Sequence, residues 1–555
     1  MSLLDKASLI VTPNAYKESK LYSVIPSDGS GDMTVVRATT ATRVNSAGLI
    51  EVVPRNLFLY SNDFTNANWT KENSSITTSQ IGYDGTNNAS LLVENSTTNN
   101  HFIRQTPSLS GQTTISVYAK ANTRNWLYLR GVQSGVPVFG FFNLSNGTLG
   151  TIQTNGTGSI TSVGNGWYRC SLTIVNFNTG FEVYIGLSTA DNVTGYLGNG
   201  SSIFIQNSQV ENFATASNYF PTTTRVNIPR IDYTNGSCPS LLVEPQRTNL
   251  ATYSEQFDDA SWIKTSATIT ANTTTSPSGV SNADTLVITS LGSLLKQIIS
   301  YSAVTGQTIT ASIFVKNQTT NFLTFGGATP AGTDVYSIET ISNGWYRHKV
   351  TRTFTTTVVG TVQFIIYNQI GTHFIWGAQL EAGSYPTSYI PTVASTVTRN
   401  ADVISKTGIS SLIGQTEGTL FLDVKALAND NTTRQISISD NSFNNYVRFN
   451  FTAATNFGNA ALISTGTTQA TNDFTLNQTN KNKIAIKYNT NLFEIYLNGV
   501  LIHQDLSVNT FSGTTLSSLQ FSNPLGGNIW YGNLNSLQFY KTALTNAECI
   551  TLTTL

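Results

Sequence analysis

Hydrophobic and polar residues alternate in short runs along this chain, and clusters of glycine, asparagine and threonine separate the runs. The segment 483–488 alternates without a break, and 493–502 reads as a strand, an Asn-Gly turn and a second strand. Alternation places successive side chains on opposite faces of a strand, and Asn-Gly favours the turns of β-hairpins. The pattern therefore predicts an all-β protein made of antiparallel β-sandwiches.

A long stretch of the sequence occurs twice. Asn-Gly-Trp-Tyr-Arg stands at 165–169 and again at 343–347, each time as a turn followed by a strand. Further matches follow in the same order and pair 56–61 with 249–254, 116–120 with 312–316, 209–211 with 379–381, and 219–222 with 389–392. This ordered series indicates a duplicated module of about 150 residues, a length that suits one sandwich.

A shorter element, which begins with Thr-Arg, precedes each module and also follows the second one. It stands at 42–43, at 224–225 and at 398–399. The predicted layout is an N-terminal anchor or assembly segment (1–55), module 1 (56–223), a connector (224–248), module 2 (249–397), a second connector (398–416) and a C-terminal module (417–555).

The composition excludes several classes of protein. Lys and Arg together number 30, as do Asp and Glu, so the 555-residue chain has no net charge and no basic stripe for nucleic acid. Only 11% of residues are charged, and the three cysteines are too sparse for a disulfide framework. The start has no secretory signal pattern, and no apolar run approaches the ~18 residues of a membrane span. We therefore expect a protein made in a reducing compartment, without membrane insertion.

Five motifs carry resemblances to known sandwich families. The run "FEIYLNGVLI" and the closing "GNLNSLQFYKTALTNAE", read as a strand and a capped helical turn, resemble laminin-G/concanavalin A-like domains. The opening "NLxxYSxxFxxxxW" of both modules, with "NGWYR" and a closing "QVE" or "QLE", resembles carbohydrate-binding-module jelly rolls. The resemblance implies two jelly rolls and one concanavalin A/laminin-G-like sandwich after the N-terminal segment.

The connector 231–250 and the leader "VVRATTATRVNSAGLIE" resemble segments of tailed-bacteriophage structural proteins, especially fibres and spikes of phages of Bacteroidota, including crAss-like ones. That resemblance implies a virion appendage, on either the head or the tail. It also implies assembly in the host cytoplasm, attachment to other virion proteins through residues 1–55, and self-association, most often as a trimer. Such a protein needs no export signal.

Signals for catalysis are missing from the sequence. His101, His348, His373 and His503 are scattered, with no pair at metal-ligand spacing. Nucleophile-elbow, Walker and zinc-protease motifs are absent, as is the Glu-x-Asp run of concanavalin-like glycosidases. We therefore expect no enzymatic activity and no cofactor. Structural calcium occurs in both sandwich families, but no acidic cluster identifies a site.

Glycan binding is the sharper functional hypothesis, because sugars stack on aromatic rings and hydrogen-bond to amides and carboxylates. The tryptophans that occur in both modules, Trp69 with Trp262 and Trp167 with Trp345, are interpreted as packing residues. Aromatic residues without an equivalent in the other module are better candidates for ligand contact, and with a pair from the C-terminal module they are Trp126, Tyr128, Trp376, Trp530 and Tyr531.

The sequence thus predicts a fibre or spike protein of a phage virion that contacts host-surface glycans through its β-sandwich modules. The C-terminal module, farthest from the anchor, is the favoured host-facing tip. Two alternatives stay open. One is a purely architectural capsid, collar or tail protein without a ligand, and the other is a polysaccharide depolymerase.

Overall fold

The structure is a computed structural model that describes residues 2–53, 56–107, 109, 111–133, 135–177, 182–212, 215–234, 236–326, 329–367 and 369–555. The chain forms two compact units, one of residues 54–225 and one of residues 1–53 with 226–555. Almost all regular structure is β-strand, which confirms the predicted all-β fold of antiparallel sandwiches. None of the helices in the described residues has the length and apolar character needed to cross a bilayer.

The leader holds a short helix and five strands. They are α1 (Leu3–Lys6), β1 (Ala7–Lys17), β2 (Lys20–Ile25), β3 (Met33–Val36), β4 (Ala41–Val44) and β5 (Ile50–Val53).

Module 1 is a sandwich of two antiparallel sheets. Its strands are β6 (Thr70–Glu72), β7 (Ser74–Gln80), β8 (Ala89–Glu94), β9 (Thr98–Gln105), β10 (Gly111–Ala121), β11 (Trp126–Gln133), β12 (Val136–Asn143), β13 (Thr148–Ile152), β14 (Gly156–Gly164), β15 (Trp167–Phe177), β16 (Val183–Ser188), β17 (Gly195–Leu197) and β18 (Ser202–Glu211). One sheet runs β14-β15-β10-β18-β8-β7 and the other runs β13-β12-β11-β16-β9-β17. Alternate residues such as Val117, Leu129 and Ile185 fill the core between the sheets.

Module 2 repeats this architecture. The connector and module strands are β19 (Ile231–Asp232), β20 (Ser240–Val243), β21 (Arg247–Asn249), β22 (Ile263–Thr265), β23 (Ala267–Thr274), β24 (Ala283–Ile288), β25 (Leu294–Ala303), β26 (Thr308–Lys316), β27 (Thr324–Phe325), β28 (Gly332–Thr340), β29 (Trp345–Phe354), β30 (Val358–Tyr367) and β31 (Gly371–Ala382). Its sheets run β23-β24-β31-β26-β29-β28 and β22-β25-β30-β27. The two modules also share individual hydrogen bonds. The indole N–H of Trp69 donates to the carbonyl of Tyr60, and that of Trp262 donates to the carbonyl of Tyr253, each at 3.0 Å.

The C-terminal sandwich is completed by the start of the chain. Strand β32 (Val397–Arg399) precedes it and pairs with β21 in a separate two-stranded sheet. The elements of the sandwich are β33 (Val403–Thr407), the 3₁₀ helix η1 (Ser410–Leu412), β34 (Gly418–Ala426), β35 (Arg434–Ser439), β36 (Tyr446–Phe451), β37 (Phe457–Ser464), β38 (Thr467–Thr475), β39 (Asn482–Asn489), β40 (Leu492–Leu497), β41 (Val500–Asp505), β42 (Ser518–Gln520), β43 (Gly532–Tyr540) and α2 (Asn546–Thr553). Strand β1 pairs with β43, and β3 pairs with β33. Residues 7–36, which we expected to lie in a separate anchor segment, therefore contribute strands to this sandwich.

A buried ion network joins the leader and both connectors. Arg230 binds both Glu244 and Asp402, Arg37 binds Asp402 at 2.6 Å, and Arg399 binds Glu244 at 2.8 Å. Burial by itself raises the pKa of Glu244, but Arg399 and Arg230 outweigh burial and hold that pKa well below its usual range. The Thr-Arg repeat at 398–399 therefore has a structural role, because Arg399 ties the second connector to the first.

The leader hairpin β4–β5 covers the outer face of one sheet of module 2. Ile50 packs in a buried cluster with Phe314, Trp345, Trp376 and Tyr389. The backbone N–H of Ile50 donates at 2.9 Å to the carbonyl of Pro277, at the turn that precedes β24. This hairpin thus seals the outer face of module 2 with the chain's own residues.

Candidate aromatic site on module 1

The candidate site lies on the outer face of the sheet that contains β9, β11, β12 and β16. Leu127 and Leu129 of β11 point into the core, so the alternate residues of this strand point outward. Trp126, Tyr128 and Arg130 are those outward residues. Six aromatic side chains from the four strands share this surface, which we call the aromatic face, and they are Phe102, Trp126, Tyr128, Phe139, Phe141 and Tyr184.

Strand register arranges the aromatic face in rows. Tyr128 stands opposite Phe141 on one side and Gly186 on the other, and Gly186 stands opposite Phe102. A Cβ atom at Gly186 would lie 2.1 Å from Cζ of Tyr128, so the tyrosine ring lies directly across the glycine. Tyr128 and Phe141 are each only 1% exposed. This row is therefore the packed floor of the site.

The next row alternates aromatic rings with guanidinium groups. Arg130 stands between Phe139 and Tyr184, and Tyr184 stands opposite Arg104. The guanidinium carbon of Arg130 lies 4.2 Å from the ring centroid of Tyr184 and 5.3 Å from that of Phe139. Cation–π contacts hold the guanidinium group of Arg130 against both rings, and guanidinium N–H groups remain able to donate hydrogen bonds. Arg104 forms an ion pair with Glu182 at the border of the face.

Trp126 forms one end of the site and is half-buried, as are Phe139 and Arg130. A Cβ at Gly150 would lie 2.7 Å from the indole ring and 2.5 Å from Oδ1 of Asp191, so indole and carboxylate lie side by side. The Asp191 carboxylate accepts hydrogen bonds from the backbone N–H (2.7 Å) and the hydroxyl (2.8 Å) of Thr151. A partly exposed ring thus stands beside a carboxylate that is held in place.

Module 2 does not repeat the aromatic face. Gln105 and Gln297 each accept a hydrogen bond from a backbone N–H of the segment that opens their module, from Leu59 and Thr252 respectively, which aligns β9 with β25 and β16 with β30. In this alignment Phe102, Arg104 and Tyr184 correspond to Leu294, Lys296 and Ile365. The aromatic face is therefore a property of module 1 alone, which is unexpected for a part of the common sandwich core.

The structure brings two of the five predicted site residues, Trp126 and Tyr128, into this site. Trp376 is 2% exposed and lies under the leader hairpin, and Trp530 is fully buried in the core of the C-terminal sandwich. Tyr531 is half-buried at the edge of that core. Sequence reasoning missed Phe102, Phe139, Phe141 and Tyr184. The alternating "FGF" of β12 was an available signal for two of them.

A separate cleft of about 280 Å³ lies where the leader hairpin, module 2 and the C-terminal sandwich meet. Its lining is charged, but ion pairs neutralise much of this charge, such as Lys349 with Glu339 at 2.6 Å. Arg347 donates to the carbonyl of Thr387 at 2.8 Å and lies over the Phe314 ring. Lys349, Glu339 and Arg347 thus have partners within the protein, and the described residues contain no cluster of three metal-ligating side chains.

Comparison with solved structures finds distant likeness to carbohydrate-binding modules. The CBM40 of the Ruminococcus gnavus IT-sialidase, bound to α2,3-sialyllactose or free, is 18% identical with a TM-score of 0.23, and the match covers 26% of this chain and 86% of that one. Domain 4 of AbnA, a GH43 extracellular arabinanase of Geobacillus stearothermophilus in complex with arabinotriose, is 14% identical with a TM-score of 0.23 and covers 31% of this chain and 82% of that one. No protein-family model and no curated protein matches the chain.

Proposed function

We propose that module 1 is a carbohydrate-binding module and that its aromatic face is the binding surface. Pyranose rings present apolar C–H faces that pack on aromatic side chains, and their hydroxyl groups require hydrogen-bond partners nearby. Trp126 and Phe139 supply partly exposed rings, while Arg130 and Asp191 supply a donor and an acceptor beside them.

The observation that carries this proposal is the aromatic–guanidinium row on the outer side of the sheet. A sandwich needs apolar residues between its sheets, and module 2 forms the same architecture with Lys296 and Ile365 at the corresponding outer positions. The extra rings of module 1 are not required by the fold. Tyr128 packs across Gly186 and against Phe139 and Phe141, so the floor of the site is formed before a ligand arrives, which lowers the entropy cost of binding.

A glycan panel with the full-length protein tests the proposal. For the best ligand, Trp126→Ala is expected to weaken binding by about tenfold or more, equivalent to ~1.4 kcal/mol. Arg130→Ala should weaken it similarly. The matched control is Tyr367→Ala, which removes an aromatic side chain, 45% exposed, from the corresponding sheet of module 2.

Control measurements separate binding from folding. All three variants should keep the thermal unfolding profile of the parent protein, because Trp126, Arg130 and Tyr367 are each at least partly exposed. Undiminished glycan binding by both Trp126→Ala and Arg130→Ala would refute the assignment of this face. Equal loss from Tyr367→Ala would refute its specificity.

The biological setting that we propose rests on the sequence resemblance to phage appendages. In this proposal the protein is a virion fibre or spike, self-associated as a trimer, in which module 1 contacts host-surface glycans. Virions labelled with an antibody against the chain and imaged by electron microscopy should show label on an appendage. Absence of label from purified virions would contradict the setting but would leave the aromatic face untouched.

The architectural alternative is favoured by one observation. Trp376 and Trp530, both selected as ligand candidates, lie in packed cores. If no glycan binds to the intact chain, the modules serve as spacers. We propose no catalytic activity, and incubation with host polysaccharide should release no new reducing ends; their release would establish the depolymerase alternative.

A further inference from the structure

A row of polar side chains crosses four strands on the outer face of the C-terminal sandwich. Gln435 of β35 stands opposite Asn450 of β36, Asn450 stands opposite Asn459 of β37, and Asn459 stands opposite Asp473 of β38. We call these four residues the polar row. Their neighbours in sequence point into the core, so the whole row faces away from it. Four hydrogen-bonded strands give the row a length of roughly 14 Å.

The polar row keeps hydrogen-bonding capacity that the protein does not use. Gln435, Asn450 and Asn459 are 2%, 4% and 7% exposed, yet Nε2 of Gln435 and the Oδ1 atoms of both asparagines have no protein partner. Buried amide groups normally have partners, because leaving one unpaired costs about 1–3 kcal/mol. Three such groups in adjacent positions offer one donor and two acceptors to hydroxyl groups from outside the chain, whether of water or of a ligand.

Arg448 adds a cation to the same face. It lies two residues before Asn450 on β36, roughly 7 Å along the strand. It is half-buried, and among the described residues it forms no ion pair and no hydrogen bond. The planar guanidinium group matches a carboxylate with two parallel hydrogen bonds. An unpaired arginine beside an incomplete amide row therefore favours a ligand that carries both hydroxyl and carboxylate groups.

Aromatic residues border the face at its other end. Tyr446 lies two residues before Arg448 on β36, so it shares the outer face. Its ring centroid is 6.2 Å from that of Phe443, which is 49% exposed. The ring of Tyr446, the cation of Arg448 and the amide of Asn450 thus follow one another along β36. A short sugar chain can use such a sequence of stacking surface, cation and amide.

We propose that this face binds an acidic oligosaccharide, with Arg448 at a sugar carboxylate, the polar row at hydroxyl groups, and Tyr446 against a sugar ring. This site is independent of the aromatic face, because the two lie in different modules and share no residue. The probes are an oligosaccharide of galacturonic acid and its neutral galactose counterpart of the same linkage and length. The full-length protein should bind the acidic chain at least tenfold more tightly.

Two substitutions test the assignment. Arg448→Gln removes the cation and should reduce binding of the acidic chain about tenfold, while binding of the neutral chain changes little. Asn450→Asp is nearly isosteric and adds a second negative charge to the row beside that of Asp473, so it should weaken binding of the acidic chain as well. Arg352→Gln is the matched control, since it removes an arginine that is paired with Asp334 in module 2.

Several outcomes would overturn the proposal. Equal affinity for both chains, or unchanged binding in Arg448→Gln, removes the carboxylate site. A change in self-association of Arg448→Gln by light scattering, without a change in sugar binding, identifies the face as a protein interface instead. Loss of acidic-chain binding in Trp126→Ala but not in Arg448→Gln assigns that ligand to module 1. The thermal transition verifies that each variant is folded.

Discussion

At the scale of single residues, Glu255 of module 2 is held in an unusual environment. Its carboxylate accepts hydrogen bonds from Asn282 (2.8 Å) and from the hydroxyl of Tyr389 (3.1 Å). Burial nevertheless dominates and raises the pKa of Glu255 to about 7. Burial also raises the pKa of neighbouring Asp284 to about 6. Glu255 therefore keeps its proton in the folded protein at pH values where the unfolded chain has lost it.

This environment predicts a pH dependence of stability. Between pH 4.5 and pH 7 the folded state binds one more proton at Glu255 than the unfolded state, so the free energy of unfolding falls as pH rises through this window, by up to about 1.4 kcal/mol per pH unit. Glu255→Gln should remove this contribution. The measurement is urea denaturation of both proteins from pH 5 to pH 8. The difference between their free energies of unfolding gives the contribution of Glu255, because the histidines contribute equally to both proteins.

A difference in free energy of unfolding between the parent protein and Glu255→Gln that stays constant from pH 5 to pH 8 would contradict the raised pKa of Glu255. Asp284→Asn is the companion variant. The pH-dependent difference in free energy of unfolding between Asp284→Asn and the parent protein should be confined to lower pH, because the pKa of Asp284 is raised only to about 6. The two variants therefore have distinguishable profiles.

The role of a single residue can be predicted from sequence where the other module has the same residue at the equivalent position. It cannot be predicted where the residue packs against a distant part of the chain. Trp69 and Trp262 were recognised as packing residues because both modules contain them, and both lie in cores. Trp376 was selected for ligand contact because Gln206 replaces it in module 1. The reason for the difference lies about 330 positions earlier in the chain, in the leader hairpin that covers Trp376, and no local pattern reveals such a contact.

At the scale of elements, the leader hairpin β4–β5 explains why the outer faces of the modules differ. Module 2 has Phe314 and Trp376 where module 1 has Tyr118 and Gln206. In module 2 Ile50 packs against the apolar pair. In module 1 Tyr118 instead stacks on Tyr83, with ring centroids 4.3 Å apart, and Gln206 accepts a hydrogen bond from the backbone N–H of Tyr83 at 2.9 Å.

The hairpin therefore carries a stability prediction. Ile50→Asp places a charge among Phe314, Trp345 and Trp376 and should destabilise the unit that contains module 2 by about 3 kcal/mol or more. Val52→Asp is the matched control, because Val52 lies on the same strand with 36% exposure. Thermal unfolding measures both. Equal effects of the two variants would show that the hairpin is not packed as described.

Turns, hairpins and helix caps can be predicted from local sequence signals, whereas the pairing of strands that lie far apart in the sequence cannot. The sequence indicated the Asn-Gly hairpin β40–β41 and the capped helical turn at the end, where the Thr545 hydroxyl accepts a hydrogen bond from the backbone N–H of Glu548 at 3.3 Å. The pairing of β1 with β43 joins residues more than 500 positions apart. Alternation identifies a strand but not its neighbour, so residues 7–17 were assigned to a separate segment.

At the scale of the whole molecule, two compact units predict two unfolding transitions. Arg230 is fully buried between Glu244 and Asp402, so Arg230→Met should leave both carboxylates underpaired and cost about 3–5 kcal/mol. Arg124→Met is the counterpart in module 1, where Arg124 pairs with the buried Glu94 at 2.6 Å. In calorimetry each variant should lower the transition of its own unit only.

A single transition that shifts with either variant would contradict the two-unit description. No pattern in the sequence marks this division into two units. The predicted linear layout of modules follows from the repeats, whereas the ion network of Arg37, Arg230 and Arg399 joins the leader to both connectors. One compact unit spans residues 54–225, and the other contains all remaining residues.

The central proposal for this protein is that the aromatic face of module 1 binds sugar. Determining the structure of the full-length protein with its best oligosaccharide bound tests this claim most directly. We predict a sugar ring against Trp126 or Phe139, with a hydroxyl group within hydrogen-bond distance of Arg130. A sugar bound elsewhere while this face stays empty at saturating concentration would contradict the claim.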